Sequence, residues 1–463
     1  MIPRLVVAGT ASGVGKTMLT AGLIGALRRR GLVVQPFKCG PDYIDPGYHS
    51  RAAGRACRNL DSWMLGDAQV QAGFARACQG ADIAVIEGVM GLFDGAAYDD
   101  DRASAAQIAR LLGAPVLLVL DISGAARSAA ATALGFCRFD PALAPAGFAL
   151  NFAGSERHAT GCAGEITHAT GLPVLGWLPR DAGLRVPERH LGLLPAAEST
   201  TMDAVLDAAC AAVSARFDID ALLRIAGGAA VLPASPPEVL PVASAAAPLL
   251  AVARDEAFSF TYPDNLDLIE AAGARLAFFS PVAGERLPAG AAGVYLGGGF
   301  PELHAAGLAA NSALWQDLRD LHARGAPVLA ECGGFMVLTE ALVDADGVRH
   351  PMAGLIPGSA RMTPKLAGLG YRHATALRAN LLADAGETLR GHEFHYSIWD
   401  VTDASRSAAW QVRGTRAGGP EAAIGHAERG LLASYLHIHL GQRPDLAPRL
   451  VGRLRDSAVL RRE

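Results

Sequence analysis

The stretch RLVVAGTASGVGKTMLTAGLIGALRRR, residues 4–30, sets the fold of the first half of the chain. An apolar run at 4–8 reads as a strand, GTASGVGKT at 9–17 as a glycine-rich loop, and 18–30 as a helix. Backbone N–H groups of such a loop bind phosphate because the helix they open carries partial positive charge at its start. Gly13 and Gly15 shape the loop, Lys16 is placed to reach the terminal phosphates of ATP, and the Thr17 hydroxyl to hold Mg²⁺. The usual spacing has its first glycine where Thr10 stands; here it comes one residue earlier, at Gly9.

Outward from this loop, apolar runs at 33–38, 83–87, 116–121, 147–151 and 174–178 read as strands, with helical patterns at 103–112 and 127–136 between them. Uniformly apolar strands alternating with helices predict an α/β domain whose parallel sheet is covered on both faces. Ligands of such sheets lie beyond the C-terminal strand edges. PFKCGPDYIDP brings Lys38, Asp42 and Asp45 there, and DIAVIEGVMGLFDG brings Glu87 at a strand tip and Asp94 in the loop after it. Glu87 is read as a Mg²⁺ ligand, and Asp42, Asp45 and Asp94 as carboxylates facing phosphates and substrate. Asp61, in RNLDSWM, is a weaker candidate of the same kind. Asn151 ends a strand, where its amide is able either to read adenine or to cap.

With 463 residues the chain has room for two or three domains. A net charge of -4 with interspersed signs points to no nucleic-acid or membrane-surface partner. Seven cysteines without CxxC spacing fit a reducing compartment. No leader is read at the start, and no apolar run reaches the roughly 18 residues of a membrane span. The expectation is a cytoplasmic protein. Residues 227–248 hold five prolines and no basic residue, and read as a linker between domains at 1–226 and 249–463.

In the second domain strands are expected at 249–253, 275–279, 293–296 and 328–331, with helices at 266–272 and 313–324. PVLAECGGF, at 327–335, sets Cys332 between a strand and a helix, a turn that exposes a nucleophile and lowers a thiol pKa. The Gly333 N–H is a candidate oxyanion donor, and YLGGGFPE at 295–302 supplies a second, taken as Gly298. His437, beyond the apolar run 431–436, is the candidate base.

AECGG, YLGGGFPE and the late histidine resemble triad-type glutamine amidotransferase domains of the cobyric-acid-synthase-like branch. ARDEAFSFTYPDNL, FFSPVAGE, GLGYRHA, GHEFHYS, SYLHIHL, GPDYIDP, EGVMGLFDG and VPERHLGL are similar to the cobyrinic acid a,c-diamide synthase family, including its relative acting on hydrogenobyrinic acid. The first half also resembles dethiobiotin synthetases, whose phosphate loops share the extra residue before GKT. The resemblance implies a dethiobiotin-synthetase-like phosphate-loop domain with a mostly parallel sheet, followed by an α/β glutamine amidotransferase domain. It further implies ATP with Mg²⁺, a corrin acid and L-glutamine as partners, and two corrin carboxylates amidated in turn through acyl phosphates. It leaves a homodimer open. Many triad-type domains read His-x-Glu, but His439 stands at that position here, so the resemblance implies a Cys332–His437 dyad.

Two competing readings differ. Cobyric acid synthase amidates four other corrin carboxylates, and GPDYIDP and EGVMGLFDG argue against it. A non-catalytic ATP-dependent switch or scaffold would not need Lys16, Thr17, Cys332 and His437 together.

Overall fold

Alternate residues of the first apolar run face opposite ways: Val6 and Ala8 enter one core, Leu5 and Val7 another. That two-sided burial is why the run is apolar at every position. In the computed structural model the described residues are 2–184, 188–189, 192–193, 202–232, 244, 246–403, 406–416 and 418–459. They fall into two compact units, Met1–Glu238 and Val239–Glu463.

The first unit holds β1 (Arg4–Gly9), β2 (Val34–Cys39), β3 (Arg58–Leu60), β4 (Ile83–Glu87), β5 (Val116–Asp121), β6 (Gly147–Ala153) and β7 (Val174–Pro179). Their order is β3-β2-β4-β1-β5-β6-β7 and every pairing is parallel. Only β3, three residues long, lacks a counterpart among the expected strands. The register pairs Val7 with Glu87 and Lys38 with Glu87, so the phosphate loop and both acidic loops leave from one sheet edge. A two-residue pair, β8 (Glu188–Arg189) and β9 (Gly192–Leu193), lies within VPERHLGL; the rest of that motif is outside the described residues.

The start of the expected linker packs on this unit. The helix Ile219–Gly227 runs into it, Ala230 N donates to Gly113 O at 2.9 Å, and the buried Arg4 guanidinium donates to Ala230 O. Residues 233–243 and 245 lie outside the described residues.

The second unit opens with β10 (Leu249–Ala253), β11 (Arg275–Phe279), β12 (Ala291–Leu296) and β13 (Val328–Glu331). Then come β14 (Thr339–Val343), β15 (Arg349–Pro351), β16 (Ile356–Met362), β17 (Gly368–Ala376), β18 (Thr388–His395) and β19 (Ser397–Asp400). The last strands are β20 (Trp410–Arg413), β21 (Glu421–Ile424), β22 (His426–Glu428) and β23 (Leu431–Ser434). The main sheet runs β11-β10-β12-β13-β23-β22, parallel except at β22. Two four-stranded sheets, β15-β14-β16-β19 and β18-β17-β20-β21, complete the unit, and neither was expected from sequence. The nine-residue β17 buries only Gly368, Ala374 and Ala376, so it carries no apolar run to read. Among the described residues no helix is long and apolar enough to cross a membrane.

Candidate active sites

The phosphate loop closes tightly on itself. A Cβ on Gly9 would stand 2.6 Å from Val14 Cγ2 and 3.0 Å from Lys16 Cδ, so the early glycine is where the loop needs one. Gly13 and Gly15 both have left-handed backbones, and a side chain on Gly15 (φ 86°) would also collide with the Asn151 amide. Asn151 Nδ2 donates to Val14 O at 2.9 Å, and Asn151 Oδ1 accepts from Phe152 N. The Asn151 amide thus ties down the loop with one N–H and caps no helix, while a second N–H of the amide remains for a ligand. No side chain caps the helix Lys16–Arg29, which leaves its first N–H groups for an anion. Lys16 lies across the loop, donating to Ala11 O at 3.0 Å and Met90 O at 2.6 Å, and burial lowers its pKa.

Thr17 Oγ1 donates to Glu87 Oε1 at 3.0 Å. Mg²⁺ takes octahedral oxygens at about 2.0–2.1 Å, which sets neighbouring ligand oxygens roughly 3 Å apart, so this pair fits one edge of such a shell. Glu87 is fully buried; Oε1 is also 3.0 Å from Lys38 Nζ, and Oε2 bonds His49 Nε2. Burial opposes its charge, but Lys38 and His49 together outweigh that and hold the carboxyl at about 2. Lys38 also reaches Asp45 Oδ2 at 2.6 Å and Asp42 Oδ2 at 3.8 Å. Burial, then Asp42 and Glu87, push the Asp45 carboxyl upward, while the same carboxylates keep Lys38 charged despite its burial. One buried amine therefore faces three carboxylates.

The remaining acidic candidates divide. Asp42 Oδ1 accepts from Ile44 N and Asp45 N at the start of the helix Asp45–Ala53. Asp94 is exposed and its Oδ2 accepts from Gly91 N at 2.8 Å. Asp61 is the N-cap of the helix Ser62–Leu65, accepting from Met64 N at 2.8 Å, which gives its carboxylate a local structural use. His49 was missed by the sequence reading. Its signal is spacing: Asp45 and His49 stand four apart, on one helix face, within the motif that supplies the acids.

In the second unit, Cys332 directly follows β13 with φ 49° and ψ −104°, a strained backbone for a non-glycine residue. A Cβ on Gly298 would lie 2.5 Å from His437 Cε1 and 3.3 Å from both Cys332 Cβ and His437 Nε2. Only hydrogen fits there, so the bare Gly298 lets thiol and imidazole approach across it. His437 is fixed by paired backbone bonds to His392, 2.9 and 3.0 Å.

Two expectations for this site need correction. The Gly298 N–H donates to Phe260 O at 3.0 Å and is not open to an oxyanion. The neighbouring Gly299 N–H has no acceptor among the described residues, and Gly299 N stands 3.1 Å from where a Cβ on Gly333 would sit. The Gly333 N–H faces the thiol. The second correction is the thiol itself, pushed up to about 12 by burial and by Glu302, against the Gly333 N–H, with Glu331 and Glu393 adding to the rise. The helix it opens, Gly333–Leu338, has six residues, too little partial charge to offset that burial. Burial, then His392 and His395, bring His437 down to about 3. Both shifts favour the uncharged forms, a neutral thiol and a neutral imidazole.

β18 and β19 roof the thiol. Cys332 Sγ is 3.9 Å from Phe394 O, His395 stacks on Tyr435 at 3.8 Å, and Ser397 Oγ donates to the Tyr435 hydroxyl at 2.9 Å. Arg372 on β17 pairs with Glu393 at 2.7 Å. His439, at the usual triad-glutamate position, packs 4.8 Å from Tyr262 and accepts from Gly441 N on Nδ1. The carboxylate nearest His437 comes from elsewhere: Glu331 Oε2 lies 3.9 Å from His437 Nδ1.

Residues 5–194 match the CobQ/CobB/MinD/ParA nucleotide binding domain, and residues 250–445 the CobB/CobQ-like glutamine amidotransferase domain. Across 451 residues the chain is 44% identical to the cobyrinate a,c-diamide synthase of Dehalococcoides mccartyi, covering 97% of each. It is 44% identical to the Salmonella typhimurium enzyme of the same name, over 95% of this chain and 96% of that one. A hydrogenobyrinate a,c-diamide synthase from Streptomyces coelicolor is 43% identical over 98% of both. Near-complete coverage at that identity, with a nucleotide-binding unit and a Cys–His unit in the same order, places the chain in the cobyrinate a,c-diamide synthase family.

Proposed function

We propose that this protein amidates the a and c side-chain carboxylates of cobyrinate or hydrogenobyrinate, using ATP and ammonia released from L-glutamine. The observation that carries this reading is the co-occurrence of two assembled sites in one chain of this family. One is Lys16, Thr17 and Glu87 at the phosphate loop; the other is Cys332 and His437, which both pack against Gly298.

A carboxylate is a poor acyl donor, and phosphoryl transfer from ATP converts it to an acyl phosphate that ammonia attacks. The loop N–H groups and Lys16 bind the phosphates, Lys16 turning there from the Ala11 and Met90 carbonyls. Thr17 and Glu87 hold Mg²⁺, which supplies positive charge beside the transferred group. Asp42, Asp45 and Asp94 face the corrin acid and its acyl phosphate, with Lys38 restraining the charge of the first two.

At the other site the Cys332 sulfur attacks the glutamine carboxamide carbon while His437 Nε2 takes the thiol proton. Gly333 and Gly299 N–H groups receive the oxyanion, and the proton passes to the departing ammonia, leaving a thioester for water to cleave. Seven free thiols support a reducing, cytoplasmic setting. The test incubates the purified protein with each acid, ATP, Mg²⁺ and glutamine and reads product mass. Diamide from either acid supports the reading; neither acid changed while glutamine and ATP are intact refutes it.

A further inference from the structure

We propose that Glu331 is the positioning carboxylate of the glutamine-hydrolysing site. Through His437 Nδ1 it supports the imidazolium that forms when Nε2 takes the Cys332 proton. The inference rests on reading Cys332 and His437 as that site.

Position 439 does not supply the carboxylate found in the His-x-Glu arrangement; it holds a histidine engaged with Gly441 N and Tyr262. Glu331 fills the gap from the opposite direction along the chain, as the residue just before the nucleophile. Its Oε2 is 3.9 Å from His437 Nδ1, and the two side chains are 4% and 3% exposed. Among the described residues, His437 is the one ion-pair partner within range of Glu331.

The carboxylate is held in place. Oε2 accepts the Tyr295 hydroxyl at 2.8 Å from the neighbouring strand β12, and Oε1 accepts Ile438 N at 3.0 Å, the residue directly after the histidine. These anchors fix Glu331 relative to the backbone that carries the ring. A gap of 3.9 Å suits a resting neutral imidazole; protonation makes the ring a charged donor and closes it, as catalytic hydrogen bonds tighten in the reacting complex. A carboxylate deprived of solvent and lacking a lysine or arginine is costly to keep ionised, and such groups concentrate at working sites. The competing account is purely structural, Glu331 tying β12 and β13 to the turn at Ile438.

The pH profile of glutamine hydrolysis separates the two. The groups facing this pair are His392 and His395 toward His437, Tyr295 toward Glu331, and Glu302, Glu331 and Glu393 toward Cys332. Burial raises Glu331 to about 7, opposed by the Ile438 N–H and the Tyr295 hydroxyl. Since only the ionised carboxylate supports imidazolium, kcat/KM for glutamine should rise with pH through that value. Glu331→Gln is expected to lower kcat on the order of 10- to 100-fold with KM nearly unchanged, and to abolish this acid limb. Tyr295→Phe keeps the carboxylate but removes a hydrogen bond to its charged form, so the limb should move to higher pH. A Glu331→Gln protein with wild-type kcat, or with reduced kcat and the same limb, overturns the proposal. If that variant does not fold, an unshifted limb in Tyr295→Phe overturns it. Glutaminase activity persisting in Cys332→Ser would instead refute the underlying reading of the site.

Discussion

Lys38 Nζ stands 2.6 Å from Asp45 Oδ2 inside the fold, with side chains 3% and 9% exposed, and the same amine meets Glu87 Oε1 at 3.0 Å. A buried amine shared among carboxylates makes this corner beside the phosphate loop a stability element.

Lys38→Met should therefore destabilise the first unit by about 3–5 kcal/mol, the usual result of leaving buried carboxylates without their cation. The pH dependence follows from Glu87, depressed from 4.5 to about 2 in the folded state. Its stabilisation is fully present above 4.5 and lost as pH falls through about 2. Urea unfolding should show the gap between wild type and variant widest at neutral pH and narrowing in acid; a gap independent of pH contradicts this.

Glu87→Gln should remove diamide synthesis with either glutamine or free ammonia as nitrogen source, and raise the Mg²⁺ concentration needed for residual turnover. Glutamate release should continue, because Cys332 and His437 belong to the other unit. Product mass and a Mg²⁺ titration check both halves. Near-normal synthesis at unchanged Mg²⁺ dependence would take Glu87 out of the site.

Cys332→Ser should abolish synthesis from glutamine while synthesis from ammonia at alkaline pH continues. Equal loss with both donors would contradict the division of labour between the two units.

Without glutamine, the thiol at about 12 and the imidazole at about 3 predict slow alkylation of Cys332 at neutral pH. A thiol raised this far forms thiolate only as pH climbs, so the iodoacetamide rate should increase about tenfold per pH unit across the neutral range. Mass-mapped labelling of Cys332 gives the profile, and a plateau below neutrality would show a resting thiolate–imidazolium pair instead.

His437→Ala should lower glutamine hydrolysis on the order of 10²-fold or more, the upper range for losing a base. His439→Ala should cost far less in rate, since its ring packs on Tyr262 and its Nδ1 accepts Gly441 N, and should appear mainly as a lower melting temperature. Glutamate release and thermal unfolding of both variants test the assignment, which a larger kinetic loss at His439 would reverse.

Much of this architecture is legible because its strands are buried on both faces. Residues 83–87, 116–121, 249–253 and 328–331 are such strands with the bounds read from sequence, and the edge strand 275–279, apolar after Arg275 though buried only at Phe279, has its expected bounds too. Strands β14 to β21 escaped because half-buried strands such as β17 mix polar and apolar residues without a clean period. The site divides the same way. Thr17 and Glu87 were foreseen as neighbours, since one stands in the phosphate loop and the other at an adjacent strand tip. His49, whose ring bonds Glu87 from a helix 38 residues earlier, left only an i,i+4 spacing as its trace.

Order along the chain carries the chemistry on offer: a loop that cradles phosphate, a cysteine on a tight turn, a histidine after a strand. These are local properties, written in glycine positions and apolar runs, and they survive without knowledge of what packs against them. Charge state and partnership are different, because they depend on what surrounds a group in space. Burial raises a thiol that the turn alone was expected to lower; the Phe260 carbonyl takes the Gly298 N–H; the Val14 carbonyl accepts one N–H of the Asn151 amide. Folding also brings Glu331 within 3.9 Å of His437, across more than a hundred residues of chain, where the sequence at position 439 showed only a missing glutamate. Solvent exclusion and long-range proximity arise from packing, and no spacing along the chain encodes them.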